Sequence, residues 1–348
     1  MNSISFGRDK TQILKGIALL LMLVHHTSNP SYWSENGMSL YSYFEHQVAS
    51  TKMCMYIFAF LVGYGFFCSK NKTLKYSLKR ILLLIVPFWT ILFGIFIPAA
   101  YVSGNLTEAL MYNEMNPIIG LIYNIFGISE TLNYYSWFVC FYILTIFSMP
   151  FLHIFYVKSP KWGWLISVIG YYIIECVIHC IPGWTMNLLI HSLFIYTLMI
   201  PLAIVGYQCG YWNQEGKLPE WFEGKKKAPL AIFTIVVIML VNAFRYPVAG
   251  FCIQAFYTPL LIFAVVGLFN SFKVRWLSLG LQKVGDLSMY MWFFHAIFFT
   301  ETVNLYTKFL VMEPIHYYLY TLFVTFVLTY IGSWIVKKLL TPIINRIK

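Results

Sequence analysis

The chain has 348 residues, of which 59% are hydrophobic, 20% aromatic and only 11% charged, against roughly 25% charged in an average soluble domain. A water-soluble fold cannot hide that much apolar surface, so the composition points to a lipid bilayer as solvent. A net charge of +11 would suit nucleic acid if the cations shared a face with stacking aromatics, but they are scattered through short polar stretches between apolar runs, which argues against a nucleic-acid partner.

Apolar runs long enough to span a bilayer predict an all-α, polytopic bundle of about ten transmembrane helices, near 11–29, 50–69, 80–102, 134–157, 162–181, 190–212, 228–246, 250–270, 286–311 and 315–340. The first run, Ile13 to Val24, is followed by His25-His26 and Asn29-Pro30 rather than a small-residue cleavage site, so it reads as a retained span. The stretch 117–128 is apolar but too short to cross, which predicts a re-entrant or interfacial segment. With both termini cytoplasmic, all but Lys52, Arg245 and Lys308 of the 24 basic residues fall on the inner side. The loop 103–133, with Glu108, Glu114 and Glu130 and no Lys or Arg, fits the outside. No internal repeat or low-complexity linker divides the chain, which predicts a single domain over 1–348. The seven cysteines show no C-x-x-C and no metal-ligand spacing with histidine, so no metal is expected, and Cys176 and Cys180, four apart on one helix, are poorly placed for a disulfide.

Ionisable side chains inside a bilayer are costly, so each is a candidate for function, the alternative being a polar pair that holds helices together. Lys15 and His26 are eleven residues apart, about three helical turns and a rise of roughly 16 Å, and project from one face. Only nine residues separate Lys15 from His25, less than half of a ~30 Å slab, so the lysine or the histidine pair must lie below the lipid surface. His25 points about 100° away and suits an orienting role. Trp137, in Asn133-Tyr134-Tyr135-Ser136-Trp137-Phe138, stands at an expected interface, where aromatics anchor a span. Glu175 shares a helical face with Tyr172 and His179, as a local Glu175–His179 pair or as a binding group. Arg245, near the outer end of the seventh helix, either binds an anionic acceptor or snorkels. In the ninth helix Ser288 and His295 share a face, with His295 near the membrane midplane.

The segment Ile13-Leu14-Lys15-Gly16 through His25-His26 resembles the opening signature of the membrane acyltransferase-3 family, a cation, ten residues and a histidine. Family-like stretches follow in order: Phe58-Ala59-Phe60-Leu61-Val62-Gly63-Tyr64, Lys79-Arg80 leading to Pro87, Trp137-Phe138-Val139, Val205-Gly206-Tyr207, and Ser288-Met289-Tyr290 through His295. Two positions depart from the usual pattern. Gln12 stands where many members have Asp, and Leu83 where many have a second Arg after Arg80.

The resemblance implies transfer of an acyl group, commonly acetyl, from a cytosolic acyl-CoA such as acetyl-CoA to a hydroxyl of a cell-envelope or exported carbohydrate, in the cell membrane of a bacterium. It carries over His26 as the catalytic histidine and Lys15 as the donor-site cation. The residue reading adds His25 and His295 to the catalytic group, Arg80 and Lys79 to the coenzyme site, and Trp137, Glu175 and Arg245 to the acceptor side. A thioester is already activated, so the chemistry needs a base on the acceptor hydroxyl and alignment of the two substrates, and neutral histidine suits that base. Intramembrane His, Glu and Lys also suit a secondary transporter or proton-coupled channel, although the repeats and broken helices of many transporters are missing.

Overall fold

A computed structural model of the chain describes residues 6–28, 49–159, 161–218, 220–244, 253–298 and 314–347. These residues contain ten helices of 15 residues or more and no strand. They are α1 (Arg8–Thr27), α2 (Met53–Phe67), α3 (Leu74–Ile91), α4 (Trp137–Lys158), α5 (Gly163–His179), α6 (Leu188–Gln214), α7 (Ala228–Phe244), α8 (Gln254–Ser271), α9 (Arg275–Phe294) and α10 (Pro314–Ile347).

Local chemistry sets several ends. The Thr73 hydroxyl accepts from the Tyr76 N–H to start α3, and the Asn187 side chain accepts from Leu189 and Ile190 N–H to start α6. After Ile91, α3 widens into a π-helical turn, Leu92–Phe96, before continuing as Ile97–Val102. Pro98 lacks the N–H that an α-helix would direct at the Gly94 carbonyl, and the wider turn sits at that lost bond.

Among the described residues, seven helical stretches are long and apolar enough to cross a membrane, 74–102, 188–214 and 318–347 among them. The helix α5 is apolar but shorter, while the polar groups of α1 and α9, Lys15, Gln12, Lys283 and Asp286 among them, lower their hydropathy. These two helices pack inward against each other, and the lipid-like exterior is supplied elsewhere. Ile166, Ile169, Ile173 and Val177 of α5 and Phe233, Val236 and Leu240 of α7 are all exposed, the pattern of a helix bathed in acyl chains.

Two helix pairs approach closely through glycine. A Cβ on Gly16 would lie 2.2 Å from the Leu281 carbonyl oxygen, and one on Gly285 would lie 2.0 Å from that of Gln12, so α1 and α9 meet backbone to backbone. Gly63 against Ala203 and Gly206 against Phe60 do the same for α2 and α6. Several boundaries differ from the sequence reading: α3 begins at Leu74 rather than near 80, and α10 runs to Ile347 rather than near 340. The helix α9 begins at Arg275 rather than near 286, because its first turns are amphipathic and escape a search for apolar runs. The helix α4 begins at Trp137, because the residues before it form a turn of their own.

Candidate active site

The short helix Pro117–Ile125 and the turn after it fold back into the bundle. Trp89 Nε1, well along α3, donates to the Ile125 carbonyl at 3.0 Å. Gly127 then reverses the chain at φ +68°, and a Cβ there would strike the Ser136 carbonyl oxygen at 2.4 Å. Asn124 secures the turn, its amide donating to Thr131 Oγ1 at 3.0 Å and its carbonyl oxygen accepting from Leu132 N–H at 3.0 Å. The stretch 117–128 thus rests on the bundle through Gly120 and Asn124, while Ile118, Ile119, Ile122 and Phe126 stay exposed.

This turn is clamped to the last turn of α9. Asn133 Nδ2 donates to the Phe293 carbonyl at 3.2 Å, and Trp292 Nε1 donates to the Tyr135 carbonyl at 3.1 Å. Tyr135, 5% exposed, is thereby fixed beside the end of α1. Its ring centroid is 3.7 Å from that of His26 and 4.8 Å from that of His295, and the two histidines are 5.0 Å apart. Three rings from three distant parts of the chain form one cluster. Nδ1 of His295 lies 2.6 Å from the Trp292 carbonyl and 3.2 Å from that of Met291. Carbonyls only accept, so Nδ1 carries the proton and the neutral ring has its lone pair on Nε2. His25 is 5.0 Å from His26, edge to face, with its Nδ1 3.4 Å from Thr51 Oγ1. Trp137 stacks edge-on to Trp292 at 6.2 Å, which places it on the rim of this cluster. Beside Tyr135, burial without an ion-pair partner raises the Glu130 carboxyl to about 8.

A second cluster forms at the other end of α1. Arg80, Asp286 and Arg8 lie within electrostatic reach of the Lys15 ammonium. Arg80 rests against Tyr142 and Tyr76, and Lys337 Nζ donates to the Asp286 carbonyl at 3.3 Å. Lys79, adjacent on α3, is half-buried.

The structure therefore brings together His26, His25 and His295, sets Trp137 nearby, and gathers Lys15 and Arg80. It separates Glu175 from both clusters. That carboxylate is 0% exposed on α5, and neither of its oxygens has a hydrogen-bond partner among the described residues. The Glu175–His179 pair does not form, because Glu175 turns into the bundle while His179 packs in the open between Trp184 and Phe194. Arg245 lies outside the described residues. Among the described residues no group of His, Cys, Asp and Glu could hold a metal ion, and Cys176 and Cys180 are free thiols. Tyr135 and Asp286 were missed as site residues.

A multi-pass helical bundle with a ring cluster at one end of a buried helix and cations at the other is the frame of a membrane acyltransferase. The family model described as "Acyltransferase domain", acyltransferase-3, matches residues 11–339, and the chain belongs to that family. Membership favours the acyltransferase reading over the transporter one. No curated protein and no solved structure matches the chain.

Proposed function

We propose that this protein is a membrane-bound O-acyltransferase that moves an acyl group, acetyl in the first instance, from an acyl-CoA thioester to a hydroxyl of a cell-envelope or exported carbohydrate. The observation that carries the reading is the two-ended α1, with the His26–Tyr135–His295 cluster at one end and Lys15 beside Arg80 at the other. The coenzyme is a bulky polyanion with a thin arm. Its phosphates suit the Lys15, Arg80 and Lys79 end, and its thioester carbonyl the His26 end.

His26 takes the proton of the acceptor hydroxyl as its oxygen attacks the thioester carbon. The new C–O bond forms, the C–S bond breaks, and the imidazolium returns the proton to the departing thiolate. His295 is the second imidazole in contact, its tautomer fixed by main-chain carbonyls, and His25 orients the pair from the Thr51 side. Trp137, only partly buried at the rim, offers a face for a sugar ring. Cytoplasmic termini and residence in the cell membrane of a bacterium complete the reading.

The test is mass spectrometry of envelope carbohydrates from cells with the protein, without it, and with His26→Ala. The expected result is an acyl mass present in the first and lost from the other two. Identical spectra in all three overturn the carbohydrate assignment.

A further inference from the structure

The helix α10 carries Thr321, Thr325, Thr329 and Ser333, four hydroxyls at four-residue spacing, all 0% exposed. They form one stripe with a rise of roughly 18 Å. Several other threonines in this protein satisfy their hydroxyls on the preceding turn, although the buried Thr145 and Thr258 do not. Thr90, Thr234 and Thr341 bond to Val86, Leu230 and Lys337 carbonyls at 2.7–2.9 Å. Thr321, Thr329 and Ser333 do not, and their oxygens have no hydrogen-bond partner among the described residues. A buried hydroxyl without a partner is costly, and three in register on one face point to a polar group that runs along the helix.

The ends of the stripe identify that group. One turn beyond Thr321, the Tyr318 hydroxyl lies 3.1 Å from Ser28 Oγ, two residues past His26. One turn beyond Ser333, Lys337 holds the Asp286 carbonyl beside the Lys15 and Arg80 cluster. The hydroxyls thus join the cation end of the site to the histidine end.

On the donor reading above, we infer that this stripe binds the pantetheine arm of the coenzyme, a thin chain whose two amides each present an N–H and a C=O to hydroxyls able both to donate and to accept. The helix α10 is the wall that yields. A Cβ on Gly332 would first meet the Phe294 ring, a side chain that can turn aside, whereas α1 and α9 are locked backbone to backbone. Entry of the arm parts α10 from α9.

The experiment measures binding to the purified full chain of two probes, coenzyme A and adenosine 3′,5′-bisphosphate, which has the nucleotide end and lacks the arm. The Thr321→Val/Thr329→Val/Ser333→Ala variant is expected to weaken coenzyme A binding about tenfold, the value of several lost hydrogen bonds, to leave the bisphosphate unchanged, and to unfold no more easily than wild type. Unchanged coenzyme A affinity overturns the inference while leaving the donor reading intact. Wild-type protein that binds neither probe overturns the donor reading and this inference with it. Should the triple variant misfold, Thr329→Val alone decides, by weakening coenzyme A and sparing the bisphosphate or by weakening neither.

Discussion

The ring of Tyr135 lies 3.7 Å from the ring of His26 and stacks within 15° of the plane of His295, 4.8 Å away. The tyrosine holds two imidazoles in one geometry through its face rather than its hydroxyl. Tyr135→Phe is therefore expected to keep near wild-type turnover. Tyr135→Ala should lose about tenfold, the worth of an aromatic contact, read as kcat with purified protein and an acyl-CoA donor. Equal loss in both variants would assign the role to the hydroxyl.

His26→Ala should insert and fold normally yet lose 10²–10⁴-fold in transfer, about the contribution of a general base, while donor binding is largely kept. His25→Ala should be milder. Near wild-type turnover in His26→Gln would refute the base role, because glutamine keeps a hydrogen bond but cannot take the proton. An acyl group trapped on His26 would instead make the imidazole a nucleophile.

Gly285 and Gly280 lie on the same helix in opposite situations. A Cβ at Gly285 meets the Gln12 carbonyl oxygen at 2.0 Å, while one at Gly280 meets nothing within 4 Å. Gly285→Ala should cost about 1–3 kcal/mol by forcing α1 and α9 apart. Gly280→Ala should be neutral or gain up to about 1 kcal/mol of helix propensity. Thermal unfolding of the detergent-purified variants checks both.

Glu130 gives stability a pH dependence. Its carboxyl is raised from 4.5 to about 8 by burial, so between those values the folded protein holds a proton that the unfolded chain has released. Stability then falls as pH rises through that window and levels off above it. Glu130→Gln should flatten the dependence, as read from unfolding midpoints across the interval; an unchanged slope would place the titrating group elsewhere.

The segregation of basic residues predicts that reporters fused at Lys226 and Lys348 sit in the cytoplasm and one within 103–116 sits outside. An external signal at Lys226 would break the arrangement of ten spans.

The spans and the phase of Lys15 with His26 were legible because both are periodicities within one helix. What joins His26 to His295 and Tyr135 is tertiary, and no local pattern carries it. Tyr135 read as an interface anchor because an aromatic cluster at the mouth of a span ordinarily is one. Only the reversal at Gly127 and the Trp292 bond to its carbonyl carry it inward. The early start of α9 was hidden by Arg275, Lys283 and Asp286, charges that an apolar-run search discards. Glu175 and His179 share a helical face by spacing, but burial separated their environments.

The stretch of α1 from Lys15 to His26 contains no proline and stays helical throughout, and its lower half is locked to α9 at Gly16. It therefore acts as a rigid ruler between the point where a donor would be gripped and the point where its carbonyl would react. A ruler of fixed length reads the donor by size. On the proposed donor site, with phosphates seated at Lys15 and Arg80, the carbonyl of any thioester of the coenzyme would reach the same depth, and whatever extends beyond it would meet the packed rings of Tyr135 and His295. On that proposal short acyl groups would fit under the ceiling, and long ones would have to displace it.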